Sequence, residues 1–116
     1  MAQFMLLIRG DDNPNITPEQ AKAVVQQYIA WAGKLRAENR MLGGDELAAG
    51  GKTLVSSDGE VRLVDGPYAE TKEFIGGYFL IEADDEAHAV EIARECPGLR
   101  RDGAVEVRAI VDHSQG

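Results

Sequence analysis

The residue types best suited to chemistry stand together in the run DGPYAETKEFIGG, from Asp65 to Gly77. Asp65, Tyr68, Glu70, Thr71, Lys72 and Glu73 supply acids, a phenol, a hydroxyl and an amine among Gly66, Pro67, Gly76 and Gly77. Gly66-Pro67 fixes a turn, because proline locks its own φ and restricts the residue before it. Gly76 and Gly77 permit a bulge or close backbone approach where an apolar strand begins. A rigid loop beside a concave sheet edge suits a ligand site. Asp65 has two readings: a turn residue accepting backbone amide hydrogens, or a general acid/base and ligand anchor. Glu70 and Lys72 are two apart, so in an extended loop they point the same way. The ammonium then holds the carboxylate ionised, which suits anchoring a polar ligand better than donating a proton. A purely structural ion pair fits equally well. Tyr68 either stacks on a ligand or packs.

Other candidates are fewer. Glu73 with Asp65 could hold a metal, but no His or Cys stands nearby, so neither a metal nor a cofactor is expected. Arg9 and Asp11 close the first strand and Arg108 lies on the last; each could approach the loop, and Arg9 joins the substrate-binding set of Tyr68, Glu70, Lys72 and Glu73. His88 shares a polar helix face with Glu91 and Glu95, which reads as solvated. His113 falls in the last four residues, where chains fray. Cys96 reads as a buried, inert thiol, because nothing basic is arranged to make it a thiolate.

The elements that must position these groups follow from periodicity. Phe4 to Ile8 is apolar on both alternating faces, so this strand must be covered twice. Thr17-Pro18-Glu19-Gln20 is a helix start, with Thr17 as N-cap and Gln20 completing a capping box. The helix runs to about Asn39 with Ala21, Val24, Val25, Tyr28, Trp31, Ala32 and Leu35 as its apolar stripe, and Gly43-Gly44 reads as its stop. Lys52 to Ser56 and Glu60 to Val64 flank Asp58-Gly59, a hairpin turn. Gly77 to Ala83 forms a second apolar strand. Asp84 caps a helix over about Asp85 to Glu95, ended by Pro97-Gly98, and Ala104 to Val111 is the last strand. The order predicts an α+β, ferredoxin-like βαββαβ plan with a β-hairpin insert. Two helices cover one sheet face only. The bare face, larger than monomers usually leave exposed, predicts a homodimer packed sheet to sheet.

Bulk properties set the limits. With 116 residues the chain fits a single domain, 1–116. Its 12 Lys+Arg against 20 Asp+Glu give a net charge of −8, opposite to the basic surface that displaces phosphate counterions. No nucleic acid is expected. The five-residue apolar run at the N-terminus is too short for a membrane span or signal segment. One cysteine is compatible with a reducing compartment, so the cytoplasm is the default.

The stretch DGPYAETKEFIGGYFLIEADDEAHAVEIARECP, with VEVRAI after it and FMLLIRGD before, resembles the YCII-related proteins of the DGPF type. The signature falls on Asp65, Gly66, Pro67, Tyr68, Glu70, Thr71, Lys72, Glu73, Gly76, Gly77 and Tyr78. The resemblance implies a dimeric α+β barrel of two ferredoxin-like subunits. It leaves the biochemical role open; an enzymatic role suggested for the wider group rests on a His–Asp pair with the histidine on the first helix. Here no histidine lies between Pro18 and Arg40, so that pair cannot be carried over. In some enzymes of that fold, aromatics placed like Tyr28 and Trp31 line a substrate cavity; on spacing alone they are core residues. The expectation is a cofactor-free acid/base enzyme acting on a small polar molecule near the loop, with Asp65 catalytic, or else a non-catalytic binding or regulatory module.

Overall fold

Phe4, Leu6 and Ile8 alternate with Met5 and Leu7, and that alternation sorts the first strand between two very different environments. The computed structural model describes residues 2–10, 16–48, 50–65, 74–101 and 103–115. Its elements are β1 (Ala2–Gly10), α1 (Pro18–Ala37), β2 (Met41–Glu46), β3 (Lys52–Ser57), β4 (Glu60–Asp65), β5 (Phe74–Ala83), α2 (Glu86–Ala93) and β6 (Ala104–Ala109). Four strands form an antiparallel sheet in the order β2-β5-β1-β6. Phe4 and Leu6 are buried against the helices with Phe79, Ile81 and Ala83 of β5, Trp31, Ala32 and Leu35 of α1, and Ala89, Ile92 and Ala93 of α2. Met5, Leu7 and Leu80 point to the other face and are only half-buried.

The start of α1 follows from its sequence. Gln20 N–H donates to Thr17 Oγ1 at 3.1 Å, and Thr17 N–H donates to Gln20 Oε1 at 3.0 Å, with Pro18 in the first turn. The end differs from the sequence reading. Glu38 is the C-cap and Asn39 takes a left-handed φ of 59°, a conformation asparagine tolerates. Gly43 and Gly44 therefore do not stop the helix; they lie inside β2. A side chain at position 44 would sit 2.8 Å from Tyr78 O, which is why this strand can lie against β5. The cap of α2 is also displaced by one, to Asp85, whose carboxylate accepts from His88 N–H at 2.8 Å.

The barrel implied by the resemblance is not what this chain builds. Among the described residues no sheet closes on itself: β2 and β6 are open edges, and β3 and β4 pair only with each other. The four-stranded sheet of this chain ends at those two edges, and the hairpin does not extend it.

Asp58 (φ 52°) and Gly59 (φ 82°) both occupy the left-handed region, giving the two-residue turn that matches strand twist. The hairpin packs against no other element among the described residues. Its projection helps explain a radius of gyration of 16.2 Å, where a compact chain of this length has about 13 Å.

No helix of the described residues is long and apolar enough to cross a membrane.

Candidate functional site

Of the predicted site residues, Arg9 is the one whose side chain the structure describes. Tyr68, Glu70, Lys72 and Glu73 lie outside the described residues, as do Asp11 and the side chain of Asp65. The backbone of Asp65 ends β4, opposite Lys52.

Arg9 is placed by a bulge. Ile8 pairs with Gly77, but Arg9 pairs with Ile75, so Gly76 is an extra residue on β5. The glycine pair anticipated this: Gly76 supplies the bulge, and Gly77 the close approach, where a Cβ would lie 3.1 Å from Asp45 O. The extra residue turns Ile75 toward the same open face as Arg9. Gly10 pairs with Phe74, the first residue after the 66–73 segment. The end of β1 therefore lies beside the point where that segment enters the sheet.

The chemistry at this corner is cationic. Arg9 Nη2 donates to Glu106 Oε1 at 2.8 Å, and Arg108 Nη1 donates to Glu106 Oε2 at 2.9 Å. The Arg108 hydrogen bond, then the charge of Arg9, hold the Glu106 carboxyl below its ordinary value against the opposing effect of desolvation. Two guanidiniums on one carboxylate leave a local charge of about +1. Arg9 Nε is buried with no hydrogen-bond partner among the described residues. A donor shielded from water and left unbonded favours an incoming acceptor. Across the same face Tyr78 Oη donates to Asp45 Oδ2 at 3.1 Å. That bond, and the carboxylate's charge, raise the phenol above its ordinary value, so Tyr78 stays a neutral donor.

On the helix side lies a second polar anomaly that spacing alone did not show. Trp31 stacks on Phe79 with ring centroids 4.7 Å apart and meets Tyr28 edge-on at 6.4 Å. Only 5% of Trp31 is exposed, yet its Nε1 is buried without a partner among the described residues. Tyr28 Oη and Cys96 Sγ are 3.6 Å apart. Burial raises the Cys96 thiol above its ordinary value, as expected of an inert core cysteine.

His88 is not simply solvated. Its Nδ1 accepts from Asp84 N–H at 3.0 Å, which makes it part of the α2 cap and gives its 3.6 Å approach to Asp84 Oδ2 no proton to share from that nitrogen. Among the described residues no group of three or more His, Cys, Asp or Glu could hold a metal ion.

Comparison with known proteins places this geometry in context. A model described as the YCII-related domain matches residues 2–114. An uncharacterized protein of Rhizobium meliloti (strain 1021) is 35% identical over 95 residues, which are 81% of this chain and 73% of that protein. Among solved structures, the chain is similar to 5-chloro-2-hydroxyhydroquinone dehydrochlorinase from Burkholderia phenoliruptrix AC1100 in complex with 2,5-dihydroxybenzoquinone. That likeness has a TM-score of 0.46 and 17% identity, and covers 97% of this chain and 98% of the other. At that level it bears on neither ligand nor reaction.

Proposed function

We propose that this chain, which belongs to the YCII-related family, is a DGPF-type member that binds a small polar molecule where the Asp65–Glu73 segment enters β5 and carries out cofactor-free acid/base chemistry on it. The observation that supports this reading is Arg9. Its register opposite Ile75, one residue from Phe74, sets it near the segment's exit, and its buried Nε has a hydrogen to donate and no acceptor among the described residues. Arg9, with Arg108 behind Glu106, takes an anionic or carbonyl oxygen of the ligand. Asp65 is the acid/base group, and Tyr68, Glu70, Lys72 and Glu73 place the substrate. A non-catalytic binding module is the second reading. The lack of a first-helix histidine and the capping role of His88 favour it, since His88 is then not offered as a base.

A second copy packed sheet to sheet over Met5, Leu7 and Leu80 belongs to the same proposal. It would shut the Arg9 corner from water, where charge-assisted hydrogen bonds strengthen.

The test is a thermal-shift screen with a panel of small carboxylates and phenols, followed by calorimetry and turnover assays. Arg9→Met is expected to weaken binding at least tenfold, and Asp65→Asn to keep binding and lose turnover. Binding unchanged in Arg9→Met would overturn the site. Binding by the wild type without turnover of any hit selects the module. Sedimentation as a monomer at micromolar concentration would contradict the sheet-to-sheet dimer.

A further inference from the structure

Each oxygen of the Glu106 carboxylate is taken by a different guanidinium, Oε1 by Arg9 and Oε2 by Arg108. All three side chains stand on the open face of the sheet, where Leu7 pairs with Glu106 and Met5 with Arg108. They do not count equally. The side chains of Arg9 and Glu106 are 31% and 34% exposed and that of Arg108 is 66% exposed, so solvent screens Arg108 most. The Arg108 hydrogen bond holds the Glu106 carboxyl below its ordinary value, so Glu106 is charged at neutral pH. Among the described residues, the other carboxylates on this face of the four strands are Asp45 and Glu82. Asp45 lies two strands across and two residues along from Arg9, about 12 Å at the usual spacings. Glu82 pairs with Gln3, six residues from Arg9 along β1 and so about 20 Å away. Both exceed the screening length of about 8 Å. Glu106 is therefore the described carboxylate whose charge is felt at Arg9.

We infer that Glu106 is the specificity-determining residue of this corner: it cancels one of two guanidiniums and so fits the site to a monoanion, a monocarboxylate, rather than to a dianion such as a phosphate monoester. The inference rests on the reading of the Arg9 corner as the ligand site. Its physics is a difference in scaling. The attraction of a ligand to the cations grows in proportion to its charge, whereas the cost of removing it from water grows as the square of that charge. With Glu106 ionised the corner offers about +1, inside a chain whose net charge of −8 lowers the potential further. One carboxylate is repaid by that field; a second charge adds one share of attraction against three of desolvation. A ligand oxygen on Arg9 Nε sits roughly 5 Å from Glu106 Oε1, with the guanidinium between them, so the choice is made at short range. Glu106 also holds Arg9 Nη2 in place, which leaves Nε for the ligand. Leu7 and Ile75, on the same face beside Arg9, give an apolar body a surface to lie on, and this suits an aryl or alkyl carboxylate.

The test titrates the full chain with benzoate and with phenyl phosphate, which share one apolar body, following amide resonances of β1 and β6 by NMR. At pH 8 the phosphate carries two charges. The wild type is expected to bind benzoate at least tenfold more tightly than phenyl phosphate. Glu106→Gln should shift that ratio at least tenfold toward the phosphate, with an unchanged far-UV spectrum, and Glu106→Asp should restore it. Arg108→Gln should weaken both probes and shift the ratio the other way, by less, because Arg108 is the more exposed. A purely structural role for Glu106 weakens both probes alike and leaves the ratio still. A ratio unmoved in folded Glu106→Gln overturns the inference, as does a wild type that prefers the phosphate or binds neither probe at 10 mM. Arg9→Met separates this outcome from failure of the site itself. If it weakens benzoate while Glu106→Gln leaves the ratio unchanged, the site stands and the role of Glu106 falls. If benzoate binds Arg9→Met as it binds the wild type, both fall.

Discussion

Replacing Trp31 by phenylalanine separates two energies of opposite sign. Phenylalanine keeps a ring against Phe79, so the stacked pair, worth about 0.5–1.5 kcal/mol beyond its burial, survives. The lost pyrrole half removes buried atoms and leaves a small cavity, costing about 2 kcal/mol. The same change removes a buried N–H that has no partner among the described residues, which returns about 1–3 kcal/mol. Trp31→Phe should therefore lie within about 1 kcal/mol of wild type, a melting shift of roughly 4 °C or less. Trp31→Ala, which loses the stack as well, should cost about 3–5 kcal/mol. Trp31 is the only tryptophan, so urea unfolding is followed by far-UV circular dichroism rather than by fluorescence. A Trp31→Phe cost of 3 kcal/mol or more, close to that of alanine, would refute the reasoning. It would mean that the indole N–H is bonded in solution, or that indole shape alone governs the site.

Glu106 is held below its ordinary value of 4.5 by the Arg108 hydrogen bond and then by Arg9. Its stabilising contribution is thus present above the unfolded value and lost as pH falls through the folded one. Glu106→Gln should flatten the acid limb of stability against pH, and Arg108→Gln should move the Glu106 carbon resonance titration upward; an unmoved titration in Arg108→Gln sinks the assignment. Cys96, buried with its thiol raised, should react with Ellman's reagent only after denaturation, and rapid native labelling would contradict its burial. Thr17→Ala should lose about 1 kcal/mol through the broken capping box, most of it restored by Thr17→Ser, in chemical-denaturation midpoints.

What could be read without coordinates was local. The Thr17–Gln20 box depends on four consecutive residues, and the Asp58-Gly59 turn on two. Gly76-Gly77 carried the bulge because only glycine combines backbone freedom with room for a neighbouring strand. Alternation in β1 divided its side chains between a buried and an open face. The α1 end misled because two signals competed: Gly43-Gly44 resembled a stop, but Asn39 supplied the left-handed residue first, and the glycines served strand approach instead. The barrel came from resemblance, and the open edges of β2 and β6 correct it.

Tertiary structure decided the rest, because burial and register depend on residues far apart in sequence. Arg9 and Glu106 are 97 positions apart and meet only through strand pairing. Nothing around Trp31 in the chain foretells that its nitrogen finds no acceptor among the described residues. The detachment of the β3–β4 arm is likewise a property of the whole fold. Its alternation specifies a strand pair, but whether the body covers that pair is settled only by how the other elements pack.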